Sequence, residues 1–204
     1  MSKFKRDDVE VIDDQLSWKG FFSLRSLRLR HRLFGGGWGA PINRELMVRG
    51  AAVGVLPYDP ERDEVLLIEQ FRVGALQREG GPWLKELVAG LIDKDESPEQ
   101  VARREAVEEA GVSLDELAPI GRYFSSPGGS DEYFYLFCGR CHLAGAGGHF
   151  GLPEEGEDIR ASVYSFAEAL AMMARGEVDN AHTIIALQWL ALNRDGVRKG
   201  WLSE

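Results

Sequence analysis

The sequence predicts an α/β or α+β fold with a mixed sheet, and three observations support this class. Hydrophobic residues make up 44% of the 204 residues and aromatic residues 10%, which is enough for a sizeable core. Short apolar stretches bounded by turn residues recur along the chain, as buried strands do. One segment near residue 98 carries complete start and stop signals of a helix. Because strands and helices mix without strict alternation, the sheet is expected to be mixed.

The N-terminal segment differs in pattern from the rest of the chain. Residues 19–34 read KGFFSLRSLRLRHRLF and alternate apolar and basic positions in places, as exposed strands do, before GGGWGAP marks a loop. Near residue 50 the pattern changes to apolar strands, which predicts an N-terminal β region over 1–50 and a main domain over 51–204. The first region is too short to bury a core alone, so it is expected to pack on the main body or on a partner subunit.

The main domain is predicted to contain strands, turns and helices in the following order. INRELMVRGAAVGVLPY is expected to form one strand, DPERDE a turn, VLLIEQFRV a buried strand and WLKELVAGLI a strand that enters the loop DKDE. PIGRYFSS and EYFYLFCGRCHL predict two more strands, AGAGGHFGLPEEGED a loop and IRASVYSF the last strand. Two helices are expected at about 167–175 and 180–193.

The helix in SPEQVARREAVEEAG has signals at both ends. Ser97 is a candidate N-cap, Pro98 suits the first helical position, Gln100 completes a capping box and Gly111 stands at the C-terminal stop. Its apolar side is formed by Val101, Ala102, Ala106 and Ala110.

Composition narrows the function classes. The chain has 24 basic and 33 acidic residues and a net charge of −9, which argues against broad nucleic-acid or membrane-surface binding. With two cysteines there is no disulfide framework, and the N-terminus lacks the apolar core of a secretion signal, so a soluble cytoplasmic protein is expected. CGRCH has the spacing of a haem attachment motif, but it lies in an apolar strand pattern and is set aside.

The predicted helix carries a face of three glutamates. Glu105, Glu108 and Glu109 fall at i, i+3 and i+4, with Arg104 beside them, so their carboxylates share one side of the helix. Like charges at this spacing repel, whereas a hard divalent cation such as Mg²⁺ takes oxygen ligands and removes the repulsion. On the triplet alone, a solvated acidic face is the alternative.

The residues around this face form a longer pattern. From the N-terminal side it consists of Gly90, five residues, Glu96, seven residues, Arg104-Glu105, two residues, Glu108-Glu109, one residue and Gly111-Val112. The pattern resembles the Nudix box, the signature of hydrolases that act on nucleoside diphosphates linked to another moiety. Ala106 replaces the bulkier aliphatic residue that is usual in the family, which affects packing more than chemistry.

The resemblance extends beyond the box to the bacterial ADP-ribose pyrophosphatase branch. It covers about residues 18–193 and includes GFFSL, RHRLF, PYDPERDEVLLIEQFR, PWLKELVAG, SSPGG, GLPEEGEDI and DNAHTIIALQWL. Pro127 occupies the place of a proline that this branch carries some fifteen residues beyond the box. The implied fold is a Nudix α/β/α sandwich with a mixed sheet, preceded by a small N-terminal β region. In this branch that region is exchanged between subunits and builds a homodimer.

The resemblance also implies a metal centre. Glu105, Glu109 and the backbone carbonyl of Ala89 match metal ligands of the branch, and Glu108 lies on the same face and shares a metal or binds it through water. In the loop PEEGEDI, Glu157 matches a further metal ligand of the branch, and Glu155 matches its general base. Such a centre would hold Mg²⁺, with Mn²⁺ as an alternative, at about two or three ions per site.

Substrate contacts follow from the same resemblance. Arg44 and Arg72 match arginines that contact ADP-ribose, and Phe21 matches an aromatic residue that stacks on adenine from the neighbouring subunit. Surface ion pairs for the arginines and a core position for Phe21 are the alternatives. Further candidates for the substrate site are Glu86, Ser126, Pro127, Gly128 and Glu132.

The predicted reaction is Mg²⁺-dependent hydrolysis of the pyrophosphate bond of ADP-ribose, which gives AMP and ribose 5-phosphate. The partner is thus a small nucleoside diphosphate, with no nucleic acid and no membrane. One alternative is a Nudix pyrophosphatase for another nucleotide sugar such as GDP-mannose. A second is a non-catalytic, nucleotide-sensing Nudix domain, which usually has a degraded box, whereas this box retains its acidic residues.

Overall fold

The structure is a computed structural model that describes residues 3–92, 95–152 and 156–203. The chain divides into two compact units. One consists of Met1–Ala51 and Phe124–Tyr133, and the other of Ala52–Tyr123 and Phe134–Glu204. Over the described ranges, no helix combines the length and the apolar character needed to cross a membrane.

The helices and strands alternate irregularly along the chain. In order they are β1 (Val9–Lys19), β2 (Ser23–His31), β3 (Ile42–Val48), β4 (Ala51–Asp59), β5 (Glu64–Phe71), β6 (Trp83–Glu86), β7 (Val88–Leu91), α1 (Pro98–Ala110), β8 (Leu117–Phe124), β9 (Tyr133–Arg140), β10 (Gly148–Phe150), β11 (Ile159–Ser165), α2 (Phe166–Ala174) and α3 (Ala181–Leu202). Short 3₁₀ turns occupy Arg6–Asp8 and Val73–Ala75.

The strands form two sheets. Strands β1, β2 and β3 make an antiparallel three-stranded sheet in that order. The larger sheet has the order β10-β11-β5-β4-β9-β8, with β6 paired to β5 and β7 paired to β4. The predicted α/β class with a large mixed sheet is confirmed.

Both faces of the large sheet are covered by helices, which explains why its strands read as nearly continuous apolar runs. On β4, Val53 and Val55 face the layer that contains Val101 and Ala106 of α1. Their neighbours Leu56 and Tyr58 join the second layer, which contains Phe166 of α2 and the α3 residues Ala186, Leu187 and Leu190. This unit is therefore an α/β/α sandwich with a core on each side of the sheet.

The structure corrects several predicted elements, and each correction has a local cause. The predicted strand INRELMVRGAAVGVLPY is two strands, because Gly50 adopts φ +79° and the Asp131 carboxylate accepts the N–H groups of Arg49 and Gly50. WLKELVAGLI is also two strands, separated at Leu87, whose N–H group donates to Thr183 Oγ1 at 2.8 Å. Each half then pairs with a different neighbour.

Three further differences concern β1, β10 and α3. Strand β1 was not predicted, because nearly all its residues are exposed and carry little apolar pattern. Strand β10 is a three-residue strand within a segment predicted as a loop. Helix α3 continues to Leu202, beyond the predicted end at residue 193. The segment after residue 193 contains two glycines and is therefore a weak helix former. It is held in the helix by Trp201, which packs in the core against Tyr58.

Helix α1 has the predicted bounds and caps. Ser97 Oγ accepts the N–H group of Gln100, and the Gln100 side chain accepts the N–H group of Ser97 at 2.7 Å. Gly111 ends the helix at φ +65°, in the left-handed region. These caps fix which residues of the helix face the sheet and which face the acidic side.

The turn between β4 and β5 is tied to the C-terminal helices through Asp63. Asp63 has φ +56° and accepts hydrogen bonds from Tyr58 Oη at 2.8 Å and from Arg194 Nε at 2.7 Å. Burial of the Asp63 carboxyl raises its pKa, but the hydrogen bonds from Arg194 and Tyr58 outweigh burial, and the pKa lies below the usual 3.8.

Asp63→Asn is expected to lower the free energy of unfolding by about 1–2 kcal/mol, since a charged hydrogen-bond acceptor is lost at a partly exposed site. Asparagine tolerates positive φ, so the turn itself is retained. Because the pKa of Asp63 is lowered on folding, its contribution is present above about pH 4 and is lost as the pH falls through the folded value. Urea unfolding at pH 7 and at pH 3 measures both effects.

The matched control for this variant is Asp195→Asn, because Asp195 is exposed next to Arg194 on the same helix. It should change the free energy of unfolding by no more than about 0.5 kcal/mol. Equal effects of the two variants at pH 7 would contradict the role given to Asp63.

Candidate active site

The acidic face of α1 lies against β7. Glu109 is buried, with 3% of its surface exposed, and its Oε2 accepts the N–H group of Ala89 at 3.0 Å. Glu105 and Glu108 lie on the same side of the helix, nearer to solvent. The structure thus brings together four of the predicted metal-site residues: Ala89, Glu105, Glu108 and Glu109.

Gly90 of β7 makes room for Glu105. A Cβ atom built on Gly90 would lie 1.8 Å from Glu105 Oε1 and 2.6 Å from its Cγ, so no side chain fits there without moving the carboxylate. The backbone of Gly90 does not need positive φ, which leaves close approach as the reason for this glycine. The first glycine of the motif therefore leaves space for the carboxylate of the glutamate fifteen residues later.

Arg104 is the counter-charge of the acidic face. Its Nη1 donates to Glu105 at 2.8 Å and to Glu108 at 2.9 Å. Its Nε and Nη2 donate to the two oxygens of Glu96 at 3.0 and 3.1 Å, and these hydrogen bonds lower the pKa of Glu96. One guanidinium thus connects three of the motif's carboxylates.

The carboxylates act on one another electrostatically. The pKa of Glu109 is raised to about 8, and burial is the largest cause. The charges of Glu105 and Glu157 also raise this pKa, whereas the hydrogen bond from the Ala89 N–H group lowers it. Burial also raises the pKa of Glu105; Arg104 opposes that rise, and Glu108 and Glu157 add to it. The charge of Glu157 thus contributes to the raised pKa of both box glutamates.

Glu157 lies after the late loop and just before β11. Its Oε2 accepts the N–H group of Leu152 at 3.2 Å, and its own N–H group donates to the carbonyl of Leu152 at 3.2 Å. Glu155, the predicted general base, lies outside the described residues.

Arg72 and Glu86 form an ion pair beside the acidic face. Arg72 Nε donates to Glu86 Oε2 at 2.7 Å, and Gln70 Nε2 donates to the same oxygen at 3.4 Å. Burial raises the pKa of Glu86, and Arg72 opposes the rise. The charge of Arg72 also acts to lower the pKa of Glu109.

The other predicted substrate residues belong to the unit that contains β1–β3. Phe21 lies in the turn between β1 and β2, with 85% of its surface exposed, which contradicts the alternative of a core position. Arg44 lies exposed on β3, and its Nη1 donates to the carbonyl of Asn43 at 2.7 Å.

The turn that contains Ser126, Pro127 and Gly128 lies in this same unit. The carbonyl of Ser126 accepts the N–H groups of Gly129 and Ser130, at 3.2 and 3.0 Å. Glu132 follows this turn, is 8% exposed, and accepts a hydrogen bond from Ser125 Oγ.

No sequence signal marks Arg49, which the structure places next to Glu132. Its Nε lies 3.0 Å from Glu132 Oε1, and its guanidinium stacks on the Phe22 ring at 4.6 Å. Arg49 stands outside the box and directly before a strand break, so only the fold brings it to this carboxylate. The hydrogen bond from the Leu152 N–H group to Glu157 could not be predicted for a similar reason, because a backbone donor is present in almost every residue and leaves no mark in the sequence.

The donor set of the acidic face fits a hard divalent cation. All candidate side-chain ligands are carboxylates, and the space above Gly90 admits the Glu105 carboxylate next to the backbone. Within 3–92, 95–152 and 156–203, no three acidic, histidine or cysteine side chains converge as a ready-made metal cage. In this structure the Glu105 and Glu108 carboxylates form ion pairs with Arg104.

The chain is similar to known proteins over nearly its whole length. The chain is 44% identical over 198 residues to an ADP-ribose pyrophosphatase of Escherichia coli, covering 97% of this chain and 95% of that protein. It is 33% identical over 200 residues to a GDP-mannose pyrophosphatase of Enterobacter sp., covering 91% and 96%.

A solved structure and a family match complete the comparison. The crystal structure of an ADP compounds hydrolase matches with a TM-score of 0.73 at 19% identity, covering 96% of this chain and 98% of that chain, and this likeness shows the fold. Residues 48–187 match the NUDIX domain. The resemblance found in the box is confirmed, and the chain belongs to the NUDIX domain family.

Proposed function

We propose that this protein hydrolyses the pyrophosphate bond of ADP-ribose to AMP and ribose 5-phosphate. The observation that carries the proposal is the acidic face of α1, where Glu105 and Glu109 meet the backbone of β7 at Ala89 and Gly90. The 44% identity to an ADP-ribose pyrophosphatase over nearly the whole chain supports ADP-ribose as the substrate.

A divalent cation is part of the proposal, with Mg²⁺ or Mn²⁺ as the ion and about two or three ions per site. Glu105, Glu109, Glu157 and the carbonyl of Ala89 would hold it, with Glu108 contributing directly or through water. When bound, the cation neutralises the diphosphate and lowers the pKa of a bound water. Glu109 is held in place for this by the N–H group of Ala89.

The remaining steps belong to the protein's own residues. Glu155 is proposed as the base that takes a proton from the attacking water, since it stands two residues from Glu157. Arg72 supplies positive charge for the diphosphate, because a guanidinium matches phosphate oxygens through its planar N–H groups. Glu86 holds Arg72 in place through the 2.7 Å hydrogen bond.

A homodimer with exchanged N-terminal β regions is also proposed, with residues 1–50 as the dimer-forming region and 51–204 as the catalytic domain. Exposed apolar side chains on the three-stranded sheet and its turn support this dimer. Leu16, Trp18 and Phe21 are each more than half exposed. In such a dimer Phe21 would stack on the adenine of the neighbouring site. Arg44, Ser126, Pro127, Gly128 and Glu132 are the proposed contacts of the ADP-ribose moiety.

The test is turnover of a substrate panel with Mg²⁺, in which alkaline phosphatase releases phosphate only from cleaved products. The panel contains ADP-ribose, GDP-mannose, a flavin dinucleotide, a diadenosine polyphosphate and NADH. ADP-ribose is expected to give the highest kcat/KM, and chelation of the metal is expected to abolish turnover. Chromatography of the products should show AMP and ribose 5-phosphate in equal amounts.

The 33% identity to a GDP-mannose pyrophosphatase supports that activity as the second candidate. A preference for GDP-mannose would keep the box chemistry and remove Arg44, Arg72 and Phe21 as ADP-ribose contacts. Nucleotide binding without any turnover would instead support a sensor domain.

A further inference from the structure

Gly151 lies against the backbone of Glu157. A Cβ atom built on Gly151 would lie 2.8 Å from Glu157 Cβ and 3.1 Å from both its carbonyl carbon and oxygen. Gly151 also has φ +101°, a conformation that favours glycine. Because two of the three contacted atoms belong to the backbone, a side chain at 151 cannot be accommodated by rotating the Glu157 side chain alone.

The neighbouring residue binds the Glu157 carboxylate directly. The N–H group of Leu152 donates to Glu157 Oε2 at 3.2 Å, and the Glu157 N–H group donates back to the Leu152 carbonyl at the same distance. A backbone donor to a carboxylate oxygen limits the directions in which that carboxylate can turn.

This short segment is itself anchored on α1. Phe150 ends β10, and a Cβ atom on Gly111 at the C-terminus of α1 would lie 2.6 Å from its ring. The ring therefore rests on the last glycine of the box. Phe150, which directly precedes Gly151, thus contacts the C-terminal end of the helix that carries Glu105 and Glu109.

We infer that Gly151 and the N–H group of Leu152 are positioning groups that limit the orientation of the Glu157 carboxylate before a metal ion binds. The inference rests on the proposed function, because it takes Glu157 as a metal ligand. In this inference Gly151 acts through Glu157 and is a positioning residue, not a catalytic one.

The experiment measures binding of Mn²⁺ alone to the full-length, metal-free protein by titration calorimetry, without nucleotide. Gly151→Ala is expected to weaken Mn²⁺ binding roughly 10–100-fold, as is usual when a group that orients a metal ligand is lost. Gly145→Ala is the matched control. Gly145 also has positive φ, at +77°, but an added Cβ atom there meets nothing within 4 Å. It should leave Mn²⁺ affinity unchanged.

A double-mutant cycle distinguishes positioning from a general loss of structure. Glu157→Gln keeps an acceptor for Leu152 but weakens a metal ligand. If Gly151 acts through Glu157, the variant with both substitutions should bind Mn²⁺ no more weakly than Glu157→Gln alone. Circular dichroism of each variant verifies that it is folded.

Two results from the variants would overturn the inference: wild-type affinity in Gly151→Ala, or effects of the two substitutions that simply multiply. A wild-type protein that binds no Mn²⁺ would overturn it as well. If the wild-type protein binds Mn²⁺ but does not hydrolyse ADP-ribose, the proposed function fails, and the Mn²⁺ affinities still decide the inference by themselves.

Discussion

Glu109→Gln is expected to reduce kcat/KM for ADP-ribose by roughly 10²–10³-fold, the usual loss when a group that stabilises charge in the transition state is removed. Glutamine has the same shape and can still accept the N–H group of Ala89, so the position of β7 is retained. What is lost is the negative charge that a divalent cation needs. Steady-state turnover with Mg²⁺ in excess measures the effect.

The same substitution is expected to stabilise the protein in the presence of a chelator. Glu109 is buried, and its charge is opposed by burial and by Glu105 and Glu157. A neutral amide removes this cost, and each gain of about 1 kcal/mol raises Tm by about 2–4 °C. The control is Glu99→Gln, an exposed glutamate in the first turn of α1, which should change neither turnover nor Tm appreciably. Turnover of Glu109→Gln close to that of the wild-type protein would remove Glu109 from the metal site.

Gly90→Ala is expected to reduce turnover by roughly 10²-fold while the protein remains folded. The new methyl group would overlap Glu105 Oε1, at 1.8 Å, so the carboxylate must move away from β7. A shift of about 1 Å in a catalytic group is enough for a loss of this size. The clash involves the far end of a flexible side chain, so the cost to folding is small. Turnover and Tm, measured together, test both parts.

Gly121→Ala serves as the control for Gly90→Ala. Both glycines lie on strands without positive φ, but a Cβ atom on Gly121 meets nothing within 4 Å. It should leave turnover unchanged. If Gly90→Ala were as active as Gly121→Ala, the position of Glu105 over Gly90 would have no part in catalysis.

Local signals predicted helix α1 and its acidic face. The capping residues Ser97 and Gln100 and the stop at Gly111 act within one turn of the chain, so their effect can be derived from neighbouring residues alone. The periodicity that places the glutamates on one face is likewise a property of the helix itself. These features appear in the structure as predicted.

Features that depend on distant residues could not be predicted. The breaks at Gly50 and Leu87 depend on hydrogen bonds to Asp131 and Thr183, which are far away in sequence. Helix α3 extends to Leu202 because Trp201 is buried, although the local sequence favours an earlier end. In each case a tertiary contact outweighs local preference.

The candidate site shows the same division. Helix spacing predicts the glutamate face, and the family resemblance implies Arg72. The close approach at Gly90 and the hydrogen bonds between Glu157 and Leu152 depend instead on the three-dimensional fold. A sequence does not distinguish a glycine that is needed because another side chain approaches its backbone from a glycine that is needed because its φ angle is positive. Gly90 and Gly111 belong to one motif and illustrate these two cases.

The pairing of Arg104 with Glu96, Glu105 and Glu108 has a consequence for how the protein responds to its ionic surroundings. A guanidinium already balances part of the acidic face, so a divalent cation bound there as proposed would replace one positive partner with another. In the proposed metal site, the electrostatic gain on binding a cation would therefore be smaller than for a carboxylate cluster that has no guanidinium partner. Under the proposed function, turnover would then follow the free concentration of the divalent ion.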